Sequence, residues 1–76
     1  MSKLVEIIAK SLVDNPDYVQ VTESKENETT VVQLKVADED MGKVIGKQGR
    51  IAKAIRTVVK AAAIKNNIRV VVEIVQ

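Results

Sequence analysis

Three stretches of this chain alternate apolar with polar residues, and what separates them differs. Within Tyr18 to Glu23, Val19 and Val21 alternate with Gln20 and Thr22. Within Thr29 to Ala37, Val32, Leu34 and Val36 alternate with Gln33 and Lys35. Near the end, Ile68, Val70, Val72 and Ile74 alternate with Arg69 and Glu73. A period of two is the pattern of a half-buried strand. Only the polar run Ser24 to Glu28 parts the first two stretches, which implies an antiparallel hairpin. A long run of helical spacing parts the second from the third, which suits a crossover and a parallel pairing. The second strand is then central. One face of the sheet takes the helices and the other faces water, with Val71 making part of that outer face apolar.

The remaining segments read as helices. Ser2 serves as an N-cap, with Glu6 near the favourable end of the dipole. Leu4, Val5, Ile8 and Leu12, widened by Ile7, form a stripe from Lys3 to Val13, and Asp14-Asn15-Pro16-Asp17 ends it. Asp38 reads as a second N-cap, with Glu39 and Asp40 in the first turn and Met41, Val44 and Ile45 on one face. Gly46 and Gly49 interrupt that helix. The next, Arg50 to Lys65, carries an apolar stripe of Ile51, Ala54, Ile55, Val58 and Ala62 and stops at Asn66-Asn67. The expected architecture is one α+β domain over residues 1–76 in the order α-β-β-α-α-β, a three-stranded mixed sheet with three helices on one face.

Side-chain chemistry narrows the function. The chain has no cysteine and no histidine, so it lacks a thiolate nucleophile, the commonest metal ligand and the usual neutral-pH base. No nucleophile–base pair stands out, so neither catalysis, cofactor nor metal is expected. Tyr18 is the only aromatic residue, which disfavours modules that stack bases on exposed rings. The N-terminus is broken by Lys3, Glu6 and Lys10, and no run approaches a membrane span, so a cytoplasmic protein is expected.

The segment Val44-Ile45-Gly46-Lys47-Gln48-Gly49-Arg50 holds two of the chain's three glycines. It is not a Walker loop, because Gly42 lies one residue too near Gly46 and Gln48 stands where a hydroxyl should be. It is not a dinucleotide fingerprint, which follows a strand. Two readings remain: a sharp corner between helices, or a cradle for an anion. Glycine placement alone does not separate them. The surroundings favour the cradle. The loop leads into a helix N-terminus, and on a wheel of about 100° per residue Lys53, Arg56 and Lys60 fall together, flanked by Arg50 and Thr57, with Lys43 and Lys47 close by.

Ile45-Gly46-Lys47-Gln48-Gly49-Arg50, set between two helices after a hairpin and before a strand, resembles the Gly-x-x-Gly loop of the KH domain in its type II order. With Ala54-Ile55-Arg56-Thr57 included, the whole chain resembles the small stand-alone bacterial KH proteins (KhpA-like). The resemblance implies binding of single-stranded RNA, with the loop clamping the backbone. The residues it implicates are Lys43, Val44, Ile45, Gly46, Lys47, Gln48, Gly49, Arg50, Ile51 and Lys53, with Val44, Ile45 and Ile51 as an apolar groove floor. One departure is Ala52, which stands where many KH domains carry a large aliphatic residue. The resemblance also implies self-association and pairing with a larger KH-containing partner of the Jag type. Val58, Val59, Ala62 and Ala63 are the candidate dimer patch. A role in post-transcriptional regulation or as an RNA chaperone follows from the same likeness. Capping accounts for Asp38-Glu39-Asp40, Lys25 to Glu28 read as a solvated hairpin tip, and Tyr18 as a packing residue at a strand start.

Overall fold

The computed structural model describes residues 1–75, apart from the side chain of Lys47. Helix α1 (Ser2–Leu12) leads through a short 3-10 turn (Pro16–Tyr18) into strands β1 (Gln20–Glu26) and β2 (Thr29–Lys35). Helix α2 (Asp38–Lys65) and strand β3 (Arg69–Val75) follow. β2 is central, antiparallel to β1 with Val21 opposite Leu34, and parallel to β3 with Val32 opposite Val72. The mixed sheet and its strand order are those the alternation implies.

The hairpin is tighter than its polar composition suggests. β1 runs on to Glu26, and Asn27 at φ 58° begins the turn back into Thr29. Asparagine tolerates this left-handed conformation better than most side chains. Pro16 instead bends the chain before β1. Tyr18 falls in that turn and is 66% exposed, so it is not the packing residue its ring suggests.

The helical hydrogen-bonded run of α2 extends over Asp38–Lys65, but the backbone inside it is not continuous. Gln48 (φ 63°) and Gly49 (φ 68°) are both left-handed, which no right-handed helix accommodates. The pair divides α2 into two limbs, so the order α-β-β-α-α-β holds, with three helical segments against one sheet face. At its end, Ile68 N–H donates to Ala63 C=O (2.9 Å) and Asn67 N–H to Ile64 C=O (3.1 Å) around a left-handed Asn67. This is a Schellman stop with asparagine in the position glycine usually holds.

The core joins all the layers: Val5 and Ala9 of α1, Val32 and Leu34 of β2, Val44, Ala52, Ile55 and Val59 of α2, and Val72 of β3. Two expected stripes shift. In α1, Ile7 is exposed and Ala9 is wholly buried. In the second limb of α2, the buried positions are Ala52, Ile55, Val59 and Ala63 rather than Ile51, Ala54, Ile55, Val58 and Ala62. Ile51 and Ala62 are only half-buried, and Ala54 and Val58 are exposed. The helix is apolar over more than half its circumference, and packing on the sheet selects an arc about one residue round from the one the wheel suggests.

The helix starts also differ from expectation. Ala37, not Asp38, is the N-cap of α2, so all three acids lie in its first turn, where they complement the dipole. Asp40 does more. Its carboxylate, 1% exposed, accepts from Asp14 N–H (3.2 Å), Asn15 N–H (3.0 Å) and Asn15 Nδ2 (3.2 Å). A buried carboxylate costs much unless it is hydrogen-bonded, and these three bonds tie the end of α1 to the start of α2. Ser2 is the first residue of α1 rather than its cap, and its N–H donates to Glu23 Oε1 (2.9 Å). That bond, helped by the N-terminal ammonium, lowers the Glu23 carboxyl below its usual range.

Candidate nucleic-acid interface

The left-handed pair sets the site. A right-handed helix interrupted at Gln48 and Gly49 places the hand-over between the two limbs there. A Cβ placed on Gly46 or Gly49 would meet nothing within 4 Å, so the space above both faces solvent. The two glycines differ. Gly49 is left-handed, where a side chain costs roughly 1–2 kcal/mol. Gly46 is helical and uncrowded, so the fold itself does not require glycine there. Gln48 carries the left-handed strain with a side chain, and strained non-glycine residues gather at functional sites.

Beside the loop lies a depression of about 400 Å³. Gln48 and Gly49 form its head, Ile45, Ala52 and Ile74 its apolar floor, and Lys53 and Arg56 its rim. The second limb builds this because the buried arc through Ala52, Ile55 and Val59 places Arg56 at its edge, about 40° beyond Ala52 on the wheel. The basic flank therefore adjoins the core edge. Among the described residues Lys53 and Arg56 make no ion pair and no carboxylate lines the depression. The arrangement offers unpaired cations, an open turn and an apolar floor of a width set by the small Ala52.

Of the residues implicated by the sequence, Ile45, Gln48, Gly49 and Lys53 come together in this groove, with Gly46 in the adjoining turn. Arg50 is exposed on the loop and lies outside the groove lining. The side chain of Lys47 lies outside the described portion. Three others are placed elsewhere. Val44 is wholly buried in the core, and Ile51 packs half-buried against that core. The Lys43 ammonium reaches Asp14 Oδ1 at 3.1 Å, toward the end of α1. The sequence reading did not place Ala52, Arg56 or Ile74 in the site. Arg56 had a signal, its membership of the basic flank, whereas Ile74 reaches the groove only through the parallel pairing of β3. In the proposed dimer patch, Val59 (2% exposed) and Ala63 are core residues, because they face the sheet, leaving Val58 and part of Ala62 at the surface.

Among the described residues no helix is long and apolar enough to cross a membrane. No solved structure matches the chain. The family model described as KhpA/KhpB, KH domain matches residues 2–74. Proteins named RNA-binding protein KhpA are similar along their whole length. That of Clostridium acetobutylicum is 69% identical over 75 residues, covering 99% of this chain and all of that protein. That of Clostridium perfringens is 71% identical with the same coverage. The Aquifex aeolicus protein is 50% identical over 76 residues, covering all of this chain and 96% of its own. With the mixed sheet, the similar proteins and the matched family model in agreement, the chain belongs to the KhpA/KhpB KH-domain family.

Proposed function

We propose that this chain is a non-catalytic module that binds short single-stranded RNA in the groove between the Gln48–Gly49 turn and β3. The observation that carries the reading is the conjunction of an open left-handed main-chain turn with the unpaired rim cations Lys53 and Arg56 over an apolar floor, among the described residues. Phosphates would meet the turn amides and the rim, and bases would lie over Ile45, Ala52 and Ile74. The similar proteins named for RNA binding support it. A groove of this size reads about four nucleotides, so weak and broad selectivity is expected, as suits a general RNA chaperone or post-transcriptional regulator in the cytoplasm.

Gly46→Ala tests this by separating fold from function. Alanine in a helical, uncrowded position should stabilise the protein by about 0.5–1 kcal/mol in urea denaturation. The added methyl should hold the RNA backbone off the turn and weaken binding roughly tenfold by fluorescence anisotropy. Gly42→Ala, equally open but away from the groove lining, should stabilise similarly and leave binding unchanged. Equal affinities for the two variants would remove the turn from the interface.

Self-association is a second reading, favoured by the exposure of Val58 beside Ala54 on the limb's non-basic side. A second copy or a larger Jag-type KH protein is the partner that this reading names. Two grooves in one assembly would raise avidity through effective concentration. Light scattering at micromolar concentration should give twice the chain mass, falling to one chain for Val58→Glu. A one-chain mass for the unaltered protein disposes of the homodimer.

A further inference from the structure

A second depression, about 340 Å³, continues from the first. It is lined by Arg56, Val59, Lys60, Val70, Val71 and Val72. Arg56 lines both, so the two adjoin at that residue on the second limb of α2. We propose that the RNA track runs past Arg56 along the free edge of β3, with Lys60 as a further phosphate contact, so that the footprint exceeds four nucleotides. The inference rests on the RNA-binding reading above and extends the same site.

Three observations converge on it. Lys60 lies one helical turn beyond Arg56, a rise of about 6 Å, which continues the line of cations along the rim at one positive charge per turn. Among the described residues β3 pairs only with β2, so its other edge presents main-chain N–H and C=O groups, the donors and acceptors that base edges require. Val70 and Val71 supply apolar surface there, half-buried and exposed respectively. No carboxylate lines this second depression either, and Lys60 makes no ion pair among the described residues. A third depression is the contrasting case. It holds Tyr18 and Lys35, but Asp38 and Glu39 line it and would repel phosphate.

Random-sequence RNA oligomers of four and of six nucleotides test the extension by anisotropy at low salt. The unaltered protein should bind the hexamer about tenfold more tightly than the tetramer. Lys60→Ala should leave tetramer affinity unchanged and weaken hexamer binding about three- to tenfold, the size of one exposed charge-assisted contact. The same variant should reduce the salt dependence of hexamer binding by about 0.7 in log–log slope, one phosphate on a single strand. The amide signals of Val70 and Val71 should shift with the hexamer and not with the tetramer. Tetramer binding with no gain in the hexamer, or a Lys60→Ala variant that matches the unaltered protein at both lengths, overturns the extension alone. Concentration-dependent exchange protection of Val70 to Val72 without RNA overturns it too, in favour of a protein partner on that edge. Failure of both oligomers to bind the unaltered protein overturns this inference and the RNA-binding reading together.

Discussion

Replacing Lys47 and Gln48 together by aspartate should leave a folded protein whose affinity for single-stranded RNA is about 100-fold lower. The two changes remove one positive charge and add two negative ones at the turn that would face phosphate. At about 1 kcal/mol for each unit of charge, the loss is near two decades and steepest at low salt. The fold should not suffer. Gln48 already sits at φ 63°, a conformation that aspartate adopts more readily than glutamine. Circular dichroism and the urea midpoint should match the unaltered protein, while anisotropy with a short RNA reports the loss. Retained affinity in a folded variant would sink the proposed interface, because that reading places the RNA backbone at this turn.

Ile55→Ala should have the largest effect on stability, about 2–5 kcal/mol, because the side chain is wholly buried where α2 meets the sheet. A chain of this size has roughly 4–11 kcal/mol to lose, so the variant approaches unfolding at 37 °C. A neighbouring pair tests the register of that packing. Val59→Ala should cost about 2 kcal/mol, since Val59 faces the core at 2% exposure. Val58→Ala should stay within about 0.5 kcal/mol, since Val58 is 43% exposed and alanine is the better helix former. Equal costs for the two would return the buried arc to the line through Ile51, Ala54 and Val58.

The strands were readable from their alternation, which in β2 leaves Gln33 and Lys35 exposed beside the buried Val32 and Leu34, and a slip of one residue would bury that polar pair. The hairpin and the long crossover then left β2 the central place. The second limb of α2 was less readable. Nine apolar residues, from Ile51 to Ala63, cover more than half of its surface, and two adjacent arcs both contain Ile55. Only the sheet chooses between them, and the left-handed turn at Gln48 and Gly49 uncouples the phase of this limb from the first. The dimer patch and the groove floor inherited that one-residue error. Asp40 shows a different limit. Its carboxylate holds Asp14 and Asn15, which are distant in sequence, and acids in a first helical turn have a local explanation that hides the distant one. Lys43 is likewise close to the loop in sequence, whereas Asp14 draws its ammonium away.

The parallel seating of β3 has one more consequence. The hairpin is built from neighbours in sequence, whereas β3 must find β2 across the length of α2, the most costly loop closure in the molecule. The groove needs Ile74 from that strand as well as the turn. A chain whose last strand has peeled away would keep its hairpin and still have no grip on a ligand. Occupancy is therefore thermodynamically linked to zippering of the sheet, and saturating RNA should protect β3 amides against exchange more than those of β1.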